Sequence, residues 1–297
     1  MSSNVNVKKL KIKKRFFNPG PARSRWGNAV NLGFLILVAT FMILPAVFVI
    51  NNAFKPLNEL FIFPPRFIVR RPTLINFSDL FILMDASWIP FSRYILNTLI
   101  ITVTGVVGHV FIASAAAYPL AKINIPKKNL IFSIVVLSLM FSTVVTAIPN
   151  YMIITALGFN NTYLAVIIPA FSTPLGLYLM KQFMEQTPDS LIESARIDGA
   201  SEYTVFIKIM MPIVKPAWFT LVILMFQFLW GNTGGQFLRS EELKPLAHAL
   251  GQITMGGVAR MGAASAVGLI MMSIPITVFV VTQSKIIQTM AFSGLKE

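Results

Sequence analysis

Long apolar runs separated by short charged segments dominate the chain, and the runs have the length of membrane spans. A helix crossing a bilayer needs about 20 mostly apolar residues. Six runs qualify: 32–50, which carries no charge, stretches within 94–121 and 130–158, then 162–180, 216 to about 238, and 261–284. The second and third are longer than a span needs, which predicts tilt or protrusion beyond the bilayer. Pro45, Pro119, Pro149, Pro169, Pro174 and Pro275 fall inside or at the ends of the runs. Proline kinks a helix, and neighbouring helices can satisfy the carbonyls it frees. The expected fold is all-α: a polytopic membrane protein with six transmembrane helices, a basic N-terminal segment at 1–29 and one transmembrane domain at 30–297.

Composition agrees with a membrane solvent. The chain is 55% hydrophobic and 12% charged, with a mean hydropathy of +0.71, whereas soluble domains carry roughly 25% charged residues. It contains no cysteine, which excludes a disulfide framework and a thiolate metal site. The net charge of +14 does not point to nucleic acid, because the charges flank apolar runs instead of forming one basic stripe. Lys8, Lys9, Lys11, Lys13, Lys14, Arg15, Arg23 and Arg25 precede the first run, and no small-residue cleavage site follows it. The first run therefore reads as a retained helix and not as a cleavable signal.

Lysine and arginine counting orients the spans. With six spans both termini share a side. That side holds the N-terminal cluster, Lys122, Lys127, Lys128, Lys181, Arg196, Lys208, Lys215, Lys285 and Lys296. The other side holds Lys55, Arg66, Arg70, Arg71, Arg93, Arg239, Lys244 and Arg260. The excess is roughly two to one by the positive-inside rule, so both termini and the polar segment 187–216 are expected in the cytoplasm. Two sizeable outer loops follow, 53–90 and about 232–260, the second with Gly234-Gly235 and Gly256-Gly257. Loops of that length are uncommon as plain connectors. They suit contact with a partner or closure of a pore, and ordered packing is the plainer alternative.

The polar segment between the fourth and fifth runs has its own design. Thr187-Pro188-Asp189 reads as a helix start, with Thr187 as N-cap, Pro188 at the first helical position and the acid Asp189 in the first turn. The helix is expected to run through Asp198 and stop at Gly199 in a left-handed conformation. Ser201-Glu202 starts a second helix through Met211, and Pro212 begins the turn into the next run. Leu191, Ile192 and Ala195 form an apolar stripe, and Glu193 and Arg196 are spaced to pair. Such a helix pair can lie on lipid. Its charges are of mixed sign, and together with the small Ala195 and the sharp corner they fit a protein groove better.

The spacing is also that of a known motif. Glu193-Ser194-Ala195, three residues, Gly199, nine residues, Ile209, then Met211-Pro212 resembles the EAA loop of bacterial ABC-importer permeases. Asp198-Gly199-Ala200 matches the extended pattern, with Ser194 and Met211 as the only departures. Phe63-Pro64-Pro65, Asn76-Phe77, Asn97-Thr98-Leu99 and Ala116-Ala117-Tyr118-Pro119-Leu120-Ala121 are similar to MalG-type sugar permeases. The tail 288–297 is similar to the branch importing complex oligosaccharides in Gram-positive bacteria. The resemblance implies a permease subunit that pairs with a second, homologous permease and docks an amphipathic coupling helix, between helices 4 and 5, on an ATP-binding-cassette ATPase dimer. An extracellular solute-binding lipoprotein would deliver a sugar, and the complex would sit in the bacterial cytoplasmic membrane. It implies coupling roles for Glu193, Ser194, Ala195, Asp198, Gly199, Ala200 and Pro212. The chain has no Gly-x-x-x-x-Gly-Lys-Ser/Thr loop. It is therefore expected to be no enzyme and to carry no cofactor, with ATP and Mg bound by the partner ATPase.

Other candidates are looser. Asn150, Tyr151, Gln227, Trp230 and Asn232 offer amide and aromatic groups suited to sugar hydroxyls and stacking, although Trp230 suits an interfacial anchor equally. His109 is a lone histidine in an apolar run, for which neutral packing is the common fate; no Asp or Glu in the runs accompanies it as a proton relay would need. That absence also counts against an ion-coupled secondary transporter. A permease for glycerol phosphate, amino acids or peptides stays open.

Overall fold

The structure, a computed structural model, describes residues 25–85 and 89–293. The basic segment 1–29 lies outside the described residues up to residue 24, as do the last four residues of the tail. All regular structure among the described residues is helical. Fourteen α-helices follow in order: α1 (Arg25–Phe54), α2 (Leu57–Leu60), α3 (Ile75–Asp85), α4 (Phe91–Lys122), α5 (Lys128–Ser138), α6 (Thr143–Ala156), α7 (Leu164–Phe171), α8 (Pro174–Glu185), α9 (Asp189–Ile197), α10 (Glu202–Thr204), α11 (Met211–Ile213), α12 (Lys215–Trp230), α13 (Leu246–Met255) and α14 (Met261–Ser293).

Among the described residues, four segments are long and apolar enough to cross a membrane: Trp26–Phe54, Phe91–Lys122, Leu164–Glu185 and Met261–Gln283. Two more apolar stretches are bent pairs. α5 and α6 meet at 108°, and the helical stretch Glu202–Ile213 meets α12 at 77°. The third run is thus not one continuous helix. Its break falls at 139–142, where neither proline nor glycine stands. Ser142 caps the second half instead, its hydroxyl accepting from the Val144 N–H at 3.3 Å, a local hydrogen bond that competes with helix continuation. The fifth run also ends earlier than expected. α12 stops at Trp230, and Gly231-Asn232-Thr233-Gly234-Gly235 leaves the helix. Pro174 begins α8 after the break at 172–173 and so marks a helix start, where its missing N–H costs nothing.

α4 organises the rest. It contributes to all three buried clusters, one after another along its length. Phe91 and Tyr94 pack with Leu80, Leu246, Ile253 and Val267. Ile101 and Val106 pack with Ile167, Met225 and Leu229. Ala113, Ala117 and Tyr118 pack with Met180, Ile192, Phe206 and Met210. α4 therefore touches α3, α7, α8, α12 and α13, whereas α1 runs along α14 and α3 and stays largely exposed. Small residues permit the close approach. A Cβ on Gly108 would stand 2.2 Å from the Phe171 ring, and one on Gly176 would stand 2.1 Å from His109 Nε2. His109 is itself buried, and its Nδ1 lies 3.1 Å from the Thr173 hydroxyl. It is a packing and hydrogen-bonding residue at the α4–α8 contact.

That contact yields a test. Because the His109 ring is anchored by Thr173, it cannot swing away cheaply. Gly176→Ala is expected to destabilise the purified protein by about 1–3 kcal/mol, the usual cost of overpacking, seen as a lower melting temperature in detergent. An unchanged melting temperature would show that the α4–α8 approach is looser than described.

Candidate functional site

The segment after α8 folds into a helix, a glycine corner and a second helix. α9 begins at Asp189, with Pro188 in the cap position. Thr187 does not cap it. Its side chain turns inward, and the hydroxyl lies 3.7 Å from Met210 sulfur. At the other end Gly199 adopts φ +81°. The Gly199 N–H reaches the Arg196 carbonyl and the Ala200 N–H reaches the Ala195 carbonyl, both at 3.0 Å. These two bonds form a Schellman motif, which leaves helix carbonyls satisfied while the chain reverses. A Cβ at Gly199 would meet no other atom, so the glycine is required by its left-handed conformation and not by space. Ser201 caps the next helix, its hydroxyl accepting from the Thr204 N–H at 3.3 Å. That helix passes through a π-helical stretch, Val205–Met210, before α11.

The underside of this motif is core. Ile192, Val205, Phe206 and Met210 are buried against α4 and α8, with Ala195 and Ala200 packed beside them. Of the expected stripe, Ile192 and Ala195 face inward, while Leu191 is exposed. The outer side presents Glu193, Asp198 and Ile197, the last 85% exposed. Ser194 bonds back to the Ser190 carbonyl at 2.8 Å, and Pro212 is exposed in α11.

Charged groups fasten the motif to the end of α4. Lys122 Nζ bonds Asp189 Oδ1 at 2.6 Å and reaches the Glu185 carbonyl at 3.3 Å. One helical turn earlier, the Tyr118 hydroxyl donates to Glu202 Oε2 at 2.7 Å. The other oxygen of that carboxylate, Oε1, accepts from Arg196 Nε at 2.7 Å. The expected Glu193–Arg196 pair is therefore not formed. Arg196 reaches across the corner to Glu202 instead, which offers an acceptor already oriented by Tyr118, and Glu193 has no ion pair among the described residues. Arg196 and then Tyr118, both donating to it, hold the Glu202 carboxyl below its ordinary range. Hydrogen bonding and charge from Lys122 lower Asp189 likewise, and the Glu202 bond raises Arg196.

The sequence profile described as "Binding-protein-dependent transport system inner membrane component" matches residues 109–290, from the middle of α4 through this corner and into α14. The chain belongs to this family. Among its relatives, Protein LplC of Bacillus subtilis (strain 168) is 34% identical over 232 residues, 76% of this chain and 75% of that protein. The arabinooligosaccharides transport system permease protein AraQ of Halalkalibacterium halodurans is 30% identical over 213 residues, 70% of this chain and 72% of that one. A solved chain from a bacterial ABC transporter involved in the import of the acidic polysaccharide alginate superposes with a TM-score of 0.76. The superposition covers 90% of this chain and 99% of that one at 22% identity, a likeness of fold.

In this transport-system membrane component the five looser candidates do not converge. Tyr151 accepts a hydrogen bond from Arg239 Nη2 at 3.0 Å and packs its ring 5.9 Å from Phe237, tying α6 to the segment after α12. Asn150 is half-buried beside it in α6, and Gln227 is exposed on α12. Asn232 Oδ1 accepts from the Gly234 N–H at 2.7 Å and so shapes the glycine turn. With Phe228 and Gln236 it borders an open groove of about 480 Å³. Trp230 is elsewhere: only 3% exposed, it donates its indole N–H to the Met271 carbonyl at 2.9 Å and stacks on Phe226. Its role here is to join α12 to α14, and it has no free face for a solute.

Tyr118, Lys122 and Glu202, the three residues that hold the corner, were given other roles from the sequence, as part of a motif, of the charge count and of a helix start. The only sign was their position, since Tyr118 and Lys122 lie one turn apart at the charged end of an apolar run. Glu202 follows the corner where its partner had been sought before it.

The pH dependence follows from the lowered carboxyls. A group whose folded pKa is depressed stabilises the fold fully above its unfolded value, here near the ordinary 4.5 of a glutamate, and loses that contribution as pH falls through the folded value. Asp189 acts in the same direction. Hydrogen exchange at 189–204 should therefore show the wild type losing protection relative to Glu202→Gln as pH falls below about 4.5, with a difference that is largest near neutrality. Superimposable pH profiles for the two proteins would rule out the Glu202 bridge.

Proposed function

We propose that this chain is one permease subunit of an ATP-driven ABC importer, forming half of the pathway for a sugar or oligosaccharide. The observation that carries this reading is the glycine corner: the EAA-type spacing 193–212 folds as a capped helix, a left-handed Gly199 and a second helix, with its charged side exposed. The names of the relatives support carbohydrate as the cargo, since they include an arabinooligosaccharide permease and a polygalacturonan/rhamnogalacturonan permease.

In this reading α5 with α6 makes one span and α12 another, which with the four long segments makes six, and Glu202–Ile213 stays with the corner outside the bilayer. The lysine and arginine excess puts both termini and the corner in the cytoplasm of a bacterial cell. The corner enters a cleft of an ATP-binding-cassette ATPase. Glu193, Ser194, Ala195, Asp198, Gly199, Ala200 and Pro212 form the contact and its shape. Glu193 is suited to meet a basic or polar group because no ion-pair partner among the described residues occupies it. Gly199 keeps the corner tight enough to enter. A second homologous permease closes the pathway, and an extracellular solute-binding lipoprotein delivers the cargo. ATP and Mg are bound by the ATPase, whose closure moves the corner. Asn150, Tyr151, Gln227 and Asn232 are the side chains most available to cargo, with Asn232 at the open groove.

Two variants test the docking. Gly199→Val places a branched side chain at φ +81°, which is strained for any residue with a Cβ, and Glu193→Lys reverses the free charge. Both proteins should insert into the membrane at wild-type levels. In reconstituted vesicles both should lose the stimulation of ATP hydrolysis by the binding protein. Normal stimulation in either would overturn the docking surface. Purification of a functional assembly without any ATPase subunit would overturn the importer reading.

A further inference from the structure

α4 is gripped at both ends by different parts of the chain. Its 32 residues span about 48 Å at the helical rise of about 1.5 Å per residue. At one end Tyr94 donates to Glu241 Oε1 at 2.7 Å, and Asn97 Nδ2 donates to the carbonyls of Glu242 and Lys244, each at 2.8 Å. The Leu246 N–H reaches the Thr98 hydroxyl at 2.8 Å. At the other end Tyr118 and Lys122 hold the glycine corner. A rigid helix therefore has polar grips on the outer segment 241–246 and on the corner, and apolar packing between them.

The corner grip has one specific feature. Arg196 belongs to the arm before Gly199 and Glu202 to the arm after it, and Glu202 joins both to Tyr118 with its two oxygens. A Cβ at Gly199 would meet nothing, so no side-chain packing stiffens the corner at the glycine itself, and without the bridge a force on the exposed corner could be absorbed by the two arms moving relative to each other. With the bridge both arms and α4 share one carboxylate. We propose that the Tyr118–Glu202–Arg196 bridge is the positioning link through which motion of the corner is passed to α4, and so to the outer segment that α4 holds. The proposal rests on the importer reading above and goes beyond docking. Residues 193–200 would meet the ATPase, whereas Tyr118 and Glu202 would decide whether that contact moves the membrane helices.

Three changes separate the roles. Tyr118→Phe removes one hydroxyl and keeps the ring that packs 5.4 Å from Phe206. Glu202→Gln removes the charge at a side chain that is 48% exposed, and gives the same reading by an independent route that leaves the core alone. The pair Arg196→Glu with Glu202→Arg restores opposite charges in reversed order. Each is assembled with the partner permease, ATPase and binding protein in vesicles, and cargo accumulated per ATP hydrolysed is measured. Tyr118→Phe and Glu202→Gln should co-purify with the ATPase in wild-type ratio, while cargo per ATP falls about tenfold, a coupling loss within the usual range between linked sites. The charge swap should recover most of what Arg196→Glu alone loses. An unchanged ratio of cargo to ATP in both single variants overturns the proposal. So does loss of the ATPase from the purified variants, which would make these groups part of the docking surface. A wild-type assembly whose ATP hydrolysis does not respond to the binding protein would instead bring down the importer reading itself.

Discussion

Close packing around α4 is the constraint on which the rest of the structure depends. The helix is surrounded because Gly108 on its own surface and Gly176 on the facing helix leave no Cβ in the way, so Phe171 and His109 fill the space between backbones. In a lipid solvent no hydrophobic gain separates a packed apolar helix from a lipid-facing one, and contact at small residues becomes the main attraction. α1 shows the converse. It is more apolar than α4, and with little of it buried it lies along the outside of the bundle.

Polar side chains are used sparingly and at the ends of helices. Asn97 accepts from the Tyr163 hydroxyl and donates to the Glu242 carbonyl. Asn161 accepts from the Arg239 and Ser240 N–H groups and holds the segment after α12. Asn76 reaches the carbonyls at the end of α1, including those of Ala53 and Lys55, where four helix carbonyls lack partners within the helix. These amides fix how loops meet helices. The same logic applies at the glycine corner, where Lys122, Tyr118 and Glu202 satisfy loop and helix groups together. Exposed groups are concentrated beyond them, at Glu193, Ile197 and Asp198.

Much of the fold was legible because membrane spans impose length and composition. The runs at 32–50, 94–121 and 261–284 fall inside α1, α4 and α14, and the charged segments between runs fold as loops and short helices. The corner was legible for a different reason: Gly199 and Ser201 are local signals whose geometry needs nothing from the rest of the chain. The break between α5 and α6 was hidden, because the run stays apolar through 139–141 and only Ser142 interrupts it. The end of α12 was marked by Gly231, but the apolar Phe237 and Leu238 beyond it extended the run. Partner choice was least legible. Glu193 and Arg196 are correctly spaced to pair, yet Arg196 takes Glu202, whose position is set by Tyr118 from another helix. The same holds for Trp230, whose bond to Met271 depends on how α12 and α14 meet.

The central claim is that the exposed face of the Gly199 corner meets an ATP-binding subunit. The chain contains no cysteine, so Ile197→Cys provides a single thiol at a strongly exposed point of α9. Cross-linking this thiol with a short thiol-to-amine reagent in membranes of the expressing cell tests the claim most directly. The account predicts one dominant product joining the chain to an ATP-binding subunit, with a yield that changes when nucleotide is added. A thiol that an impermeant maleimide labels from outside intact cells, or one that cross-links to no ATP-binding subunit, would contradict it.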